Sequence, residues 1–438
     1  MKPLVALVGR PNVGKSTLFN RLVGRNLAIV HDTPGVTRDR HYADADLLGR
    51  AVTVIDTGGF DAAPDDALGS RVAAQAEAAI EEADVIVCVL DGRAPPLASD
   101  AAVVELLRRS GKRTLFVANK IDAREHGAIA SELYALGMDA LIPVSALHGL
   151  GTAQLLSALA ESVPVPAEEP PPPESDVPRV ALVGRPNAGK STLFNQLAGA
   201  ERSLVDGRPG TTRDPIDALV NRGGRRLLLV DTAGIRRRTR VEQGVEALSV
   251  MQALRAIPRA EVAVLVVDAA AGVTEQDARL LGLCSEKRRA VVVALNKMDC
   301  VPRDEQKSAL ERAQTALHFA PWAPRLPLSA KSGKGVDALV AAVLRAAKQF
   351  RKRVSTAELN RFFARVLESH PPPTHRGRAP RIYYVTQAEV APPVFVAMTN
   401  APDHIRDSYK RFVQNRIREA FAFDAIPVRV EYRQRTRR

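Results

Sequence analysis

Short apolar runs separated by polar, glycine-rich stretches recur along the first third of the chain. They are Leu4–Val8, Ala51–Ile55, Val85–Leu90, Thr114–Ala118 and Ala140–Val144, with a further strand expected at Ala43–Leu48. Val85–Leu90 is apolar at every position, the pattern of a parallel strand covered on both faces. Between the runs lie helical spacings. Lys15–Val23 puts Leu18, Phe19 and Leu22 on one face, and residues 67–82 read as a second helix. Strands alternating with helices predict an α/β fold on a mostly parallel sheet.

The polar stretches carry the chemistry. Leu4–Val8 runs into Gly9-Arg10-Pro11-Asn12-Val13-Gly14-Lys15-Ser16-Thr17, and Val180–Val183 runs into Gly184-Arg185-Pro186-Asn187-Ala188-Gly189-Lys190-Ser191-Thr192. Both fit G-x-x-x-x-G-K-[ST] between a strand and a helix, the context of a phosphate-binding loop. The glycines let backbone N–H groups curl around phosphates, and the helix N-terminus adds its positive dipole end. Lys15 and Lys190 are expected to reach the β- and γ-phosphates, and Ser16 and Ser191 to ligate Mg²⁺.

The run at Ala51–Ile55 ends in Asp56-Thr57-Gly58-Gly59. Asp56 would organise Mg²⁺ through its water shell, and the Gly59 N–H would contact the γ-phosphate. Thr114–Ala118 leads into Asn119-Lys120-Ile121-Asp122. The Asp122 carboxylate can accept from guanine N1–H and the 2-amino group; adenine offers neither donor and would leave it unpaired. After Ala140–Val144 comes Ser145-Ala146, whose backbone N–H suits guanine O6.

The second half replays the first. The phosphate loops begin at 9 and 184 and the D-x-x-G motifs at 56 and 231, both 175 residues apart. Asp231-Thr232-Ala233-Gly234, Asn296-Lys297-Met298-Asp299 and Ser329-Ala330-Lys331 complete the second set. This is tandem duplication of one domain. Thr37 and Thr212 are the hydroxyls shared between Asn26–Arg40 and its repeat. They are expected to ligate Mg²⁺ and close on the γ-phosphate. Residues 164–178, Pro-rich and acidic, read as an extended linker between domains at 1–163 and 179–350. Residues 351–438 predict an α-β-β-α-β module: helix 357–368, strands 381–387 and 394–398, helix 404–421 and strand 428–432, followed by a frayed basic tail at 433–438.

Charge sets that module apart. It holds 18 Lys+Arg against 8 Asp+Glu, while the other 350 residues hold 44 against 41. A polyanionic partner explains this; a general preference for arginine along the chain is the other reading. Three widely spaced cysteines give no metal spacing and fit a reducing compartment. No apolar run reaches the 18 residues that would suggest a membrane span. Phe362-Phe363 and Tyr383-Tyr384 read as core and strand residues.

With both phosphate loops, both N-K-x-D motifs and the basic C-terminal module in place, the chain resembles the Der (EngA) family, bacterial tandem GTPases related to Era. The resemblance covers nearly the full length. It implies two tandem Ras-like P-loop GTPase domains of α/β class plus a C-terminal α+β domain like a type II KH fold. It further implies a GTP-hydrolysing switch in biogenesis of the large (50S) ribosomal subunit, with that subunit and its rRNA as partners. DNA is not an implied partner, and the protein would be a cytoplasmic monomer using GTP/GDP and Mg²⁺. Asn12 and Asn187 match the asparagine of G-x-P-N-x-G-K-S that coordinates potassium in several Era-related GTPases, so K⁺ is the implied activating ion; bracing of the loop through backbone hydrogen bonds is the alternative.

The chain departs from familiar relatives twice. Phe60 and Ile235 stand where Ras-like enzymes carry a glutamine that orients water, so hydrolysis needs another arrangement. The C-terminal module has no G-x-x-G, since Gly377 is its only glycine, which leaves an RNA-binding basic surface and a packing hub as its two readings. Arg236-Arg237-Arg238 and Arg240 beside the second D-x-x-G are either solvated or a contact to RNA or the C-terminal domain. Two rival functions are a GTPase partner in RNA modification, like the TrmE family, and a nucleotide-gated scaffold with little turnover.

Overall fold

The computed structural model of the 438-residue chain describes residues 2–24, 42–59, 68–122, 132–164, 176–199, 202–205, 217–232, 246–374 and 380–434. Thr37, Phe60, Thr212, Gly234, Ile235, Arg236–Arg240 and most of the expected linker lie outside the described residues. The chain divides into two compact units, one of Met1–Glu174 with Val241–Gln252 and one of Ser175–Arg240 with Ala253–Arg438.

The first unit carries β1 (Leu4–Val8), α1 (Lys15–Val23), β2 (Tyr42–Leu47), β3 (Arg50–Asp56), α2 (Leu68–Glu82), β4 (Val85–Asp91), α3 (Ala98–Ser110), β5 (Thr114–Asn119), β6 (Ile142–Pro143) and α4 (Thr152–Ser162). Its sheet has the order β2-β3-β1-β4-β5-β6 and is parallel except for β2. Val85–Leu90 is buried throughout, as its unbroken apolar run requires when both faces are covered. One face packs on α1, where Leu18, Phe19 and Leu22 join Val5, Leu7, Val87 and Val117 in the core. The strand expected at Ala140–Val144 is shorter, because only Ile142–Pro143 pair with β5.

The second unit repeats this plan with β7 (Arg179–Val183), α5 (Lys190–Ala198), β8 (Arg202–Val205), β9 (Asp217–Arg222), β10 (Arg225–Leu229), the part of α6 (Glu246–Arg259) from Ala253 on, β11 (Val262–Asp268), α7 (Glu275–Glu286), β12 (Ala290–Asn296), α8 (Gln306–Ala316), β13 (Arg325–Pro327) and α9 (Val336–Phe350). The sheet order is β13-β12-β11-β7-β10-β9-β8, with β8 added as an antiparallel edge strand.

The same unit continues into α10 (Thr356–Ser369), β14 (Ile382–Glu389), β15 (Val394–Thr399), α11 (Asp407–Ala420) and β16 (Arg429–Gln434), with sheet order β14-β15-β16. The helix expected from His404 starts at Asp407, because Pro402–His404 forms its own 3₁₀ turn. Arg433 and Gln434 extend β16 instead of fraying. Phe363 is core and Tyr383 and Tyr384 lie in β14, as expected, with the two tyrosines 41% and 44% exposed. A register shift between Ile382 and Tyr384 breaks the alternation of faces, so neither ring enters the core.

This C-terminal domain is fused to the second nucleotide domain by one continuous apolar core, running from Val292 and Phe350 to Phe395 and Phe423. Polar bonds fix the junction. Val291 N–H donates to Ala425 O at 2.7 Å, and Ala425 N–H donates to Trp322 O at 2.9 Å. Arg351 makes a two-pronged pair with Glu261, both bonds 2.6 Å. Among the described residues no helix is long and apolar enough to cross a membrane.

Candidate functional site

Parallel topology gathers the motifs. β1, β3, β4 and β5 end on one edge, with Leu7 beside Asp56 and Asp91 beside Asn119 in the ladder. β11 and β12 do the same with Asp268 beside Asn296. Loops at the carboxyl ends of parallel strands are where open α/β sheets hold ligands.

Both phosphate loops curl as their glycines permit. Gly14 and Gly189 sit at φ 93° and 97°, and a Cβ there would lie 2.3 and 2.2 Å from the side-chain amides of Asn119 and Asn296. Lys15 and Lys190 are buried at 6% and 5% exposure. Lys15 Nζ donates to Gly9 O and Arg10 O, each at 2.8 Å. Lys190 Nζ donates to Gly184 O and to Arg185 O, the latter at 2.8 Å. Burial pushes the Lys15 ammonium below its ordinary pKa, partly opposed by the charge of Asp56. An anion at the loop mouth would relieve that penalty.

In the first domain the hydroxyl and carboxylate expected at Mg²⁺ meet. Ser16 Oγ donates to Asp56 Oδ2 at 2.6 Å, and Gly58 N–H holds Asp56 Oδ1 at 3.0 Å. A hydroxyl and a carboxylate sharing one spot form the hard-oxygen donor set that Mg²⁺ prefers. Gly59 closes the 3₁₀ turn Thr57–Gly59. The second domain differs. Asp231 lies at φ 55°, and burial raises its carboxyl above the ordinary range, against the charges of Arg259 and Arg255.

On the base side, each N-K-x-D asparagine joins three loops. Asn119 Nδ2 donates to Val13 O at 2.8 Å while its Oδ1 accepts from Ala146 N–H at 2.9 Å. Asn296 repeats this with Ala188 O at 2.9 Å and Ala330 N–H at 2.8 Å. Lys120 and Lys297 stand at φ 70° and 63° and donate to Asp91 and Asp268, both at 2.7 Å. Ser145 Oγ donates to Asp122 Oδ1 at 2.5 Å. Ser329 bonds the Asp299 side chain and, as the largest cause, holds that carboxyl below its ordinary value. Thr17 and Thr192 lie one residue further along α1 and α5, beside the serines.

Asn12 and Asn187 are left-handed at φ 64° and 60°, and both are exposed. Three supporting sets escaped sequence reading. Asp91 and Asp268 anchor the motif lysines, and the signal for them was an acid closing an otherwise apolar strand. Arg21 braces the Ser145-Ala146 loop through Ala146 O at 3.0 Å and Leu147 O at 2.6 Å, for which no local signal exists. Arg93 pairs with Asp122. Among the described residues no group of three or more His, Cys, Asp or Glu could hold a metal alone.

Comparison with known proteins agrees with this geometry. The model of the 50S ribosome-binding GTPase family matches residues 4–120 and 179–297. The model of the KH-domain-like, C-terminal domain of EngA bacterial GTPase enzymes matches 353–433. The chain is 45% identical over 436 residues to GTPase Der of Moorella thermoacetica, covering 99% of each protein. It is 46% identical over 443 residues to GTPase Der of Myxococcus xanthus, covering 99% of this chain and 96% of that one.

Proposed function

Because this chain belongs to the Der family of GTPases, and so is a GTP-binding, GTP-hydrolysing enzyme, we propose that it is a two-site switch whose nucleotide state governs binding to the maturing large ribosomal subunit. The observation that carries this is the pair of phosphate loops, each tied by an asparagine to its own guanine-reading loop. The basic balance of residues 351–438 supports an rRNA partner, as does a cavity of about 850 Å³ where Lys352, Arg353, Arg361 and Arg365 outnumber the single acid Glu358. In this reading the C-terminal domain has both roles, a hub for the second GTPase domain and a cationic face for phosphates. The domains are 1–163, 179–350 and 351–438, and the protein works as a cytoplasmic monomer.

In each site the loop N–H groups and Lys15 or Lys190 bind the phosphates, and Asp122 or Asp299 selects guanine. Ser16, Thr37 and Asp56, with Ser191, Thr212 and Asp231 in the second domain, are assigned to Mg²⁺, and the exposed Asn12 and Asn187 to K⁺. Bound there, these ions would supply positive charge to offset that developing on the phosphates. The Gly59 and Gly234 N–H groups and the two threonines report the γ-phosphate, so its loss releases the contacts that define the active state. Co-sedimentation with purified large subunits at fixed salt tests the proposal. Binding favoured by a non-hydrolysable GTP analogue over GDP is expected. Binding indifferent to nucleotide would reduce the interaction to charge attraction and refute the switch.

A further inference from the structure

The two guanine-reading carboxylates keep different electrostatic company. In the first domain Arg93, on the loop after β4, places Nη2 on Asp122 Oδ2. Its Nε donates to Lys120 O at 3.2 Å, and its backbone N–H donates to Asp91 Oδ1 at 3.0 Å. The guanidinium is therefore fixed to the same loop it charges. With Ser145 on Oδ1, both oxygens of Asp122 are held by donors from flanking loops.

The second domain lacks this cation. The spacing that relates Asn119 to Asn296 puts Ala270 at the place of Arg93. There Asp299 is held chiefly by its bond from Ser329, and Lys331, following Ser329-Ala330, adds a smaller favourable charge. The first domain has Leu147 there, 68% exposed. Beyond the motif lysines, the two sites thus carry their added cation on different loops, after β4 in the first domain and after Ser329-Ala330 in the second.

We propose that Arg93 is the positioning residue for guanine recognition in the first domain, gripping the Asp122 carboxylate from the loop after β4 and orienting it toward the base. The inference rests on the reading of Asp122 as the guanine acceptor. Its test uses the full chain carrying Asp299→Asn, so that guanine pairing is lost from the second site and calorimetry reports the first. GDP and IDP affinities are then compared with and without Arg93→Ala and Arg93→Lys.

Inosine lacks the 2-amino donor, so it gains less from a well-held carboxylate. Arg93→Ala is expected to weaken GDP about fivefold, the upper range for a half-exposed pair, and IDP distinctly less. Arg93→Lys should recover most of the loss. Unchanged GDP affinity would overturn the proposal, as would equal weakening of both nucleotides. Tighter GDP binding would show instead that Arg93 blocks the pocket. A parent site that fails to prefer GDP over ADP would overturn the underlying assignment of Asp122, a result separable from the others.

Discussion

The side-chain amide of Asn119 donates to the main-chain carbonyl of Val13 at 2.8 Å, so a residue of the base-reading loop is bonded to the phosphate loop more than a hundred positions away in sequence. Asn296 and Ala188 repeat the bond at 2.9 Å. Each asparagine also closes on the Ser-Ala loop through its oxygen. Both sites are thereby pre-assembled around one buried amide.

Replacing that amide should cost structure as well as binding. Asn296→Ala leaves the Ala188 carbonyl and the Ala330 N–H buried and unpaired, at about 1–3 kcal/mol for each such group. Thermal unfolding should show a destabilised second unit, and GDP should no longer raise its midpoint. An unchanged midpoint with normal GDP stabilisation would contradict the bracket role.

The junction to the C-terminal domain makes a second prediction. Glu261 is 6% exposed and accepts two bonds from Arg351 as well as the Arg179 N–H at 3.1 Å. Glu261→Ala should destabilise the second unit by about 2 kcal/mol, below the full value for a buried pair because Arg351 is partly solvated. Denaturant unfolding measures it, and a cost near zero would show that apolar packing alone holds the junction.

Acid should separate the second site's parent from its Ser329→Ala form. Guanine pairing needs the Asp299 carboxylate charged, and the Ser329 bond, with lesser help from Cys300 and Lys331, favours that state against desolvation. Affinity is therefore complete above the ordinary aspartate range and falls only as pH drops through the lowered pKa of Asp299. Without the hydroxyl the pKa rises, so GDP binding at the second site should fail at a higher pH than in the parent. Superimposable acid limbs in a fluorescent-nucleotide titration would refute this.

The cationic cavity of the C-terminal domain can be tested without touching either nucleotide site. Arg361 and Arg365 line it and both are exposed. The double change Arg361→Glu, Arg365→Glu should weaken association with large ribosomal subunits and flatten its salt dependence, by a slope change of about 2. GTP turnover should be unaltered. Unchanged binding and salt slope would remove this face from the interaction.

How much was legible beforehand followed from the range of the forces involved. Strands such as Val85–Leu90 announced themselves because burial on both faces demands an unbroken apolar run. The phosphate loops were legible because Gly14 and Gly189 allow no side chain beside the buried amides. Arg93, Arg21 and the Glu261–Arg351 pair were not, because their partners meet only after the sheet has brought distant loops together. Tyr383 and Tyr384 were legible as strand residues, but the exposure of both rings was not, because the register shift in β14 has no signal in composition. The start of α11 was misplaced because a 3₁₀ turn at Pro402–His404 looks helical in sequence.

The most direct test of the whole account is the number of guanine nucleotides bound per chain, measured by equilibrium dialysis with a non-hydrolysable GTP analogue and excess ATP. Two complete sites predict two per parent chain, and one in each of the Lys15→Ala and Lys190→Ala variants. A single nucleotide in the parent, lost wholly in one variant and untouched in the other, would contradict the claim that both halves are working guanine-nucleotide sites.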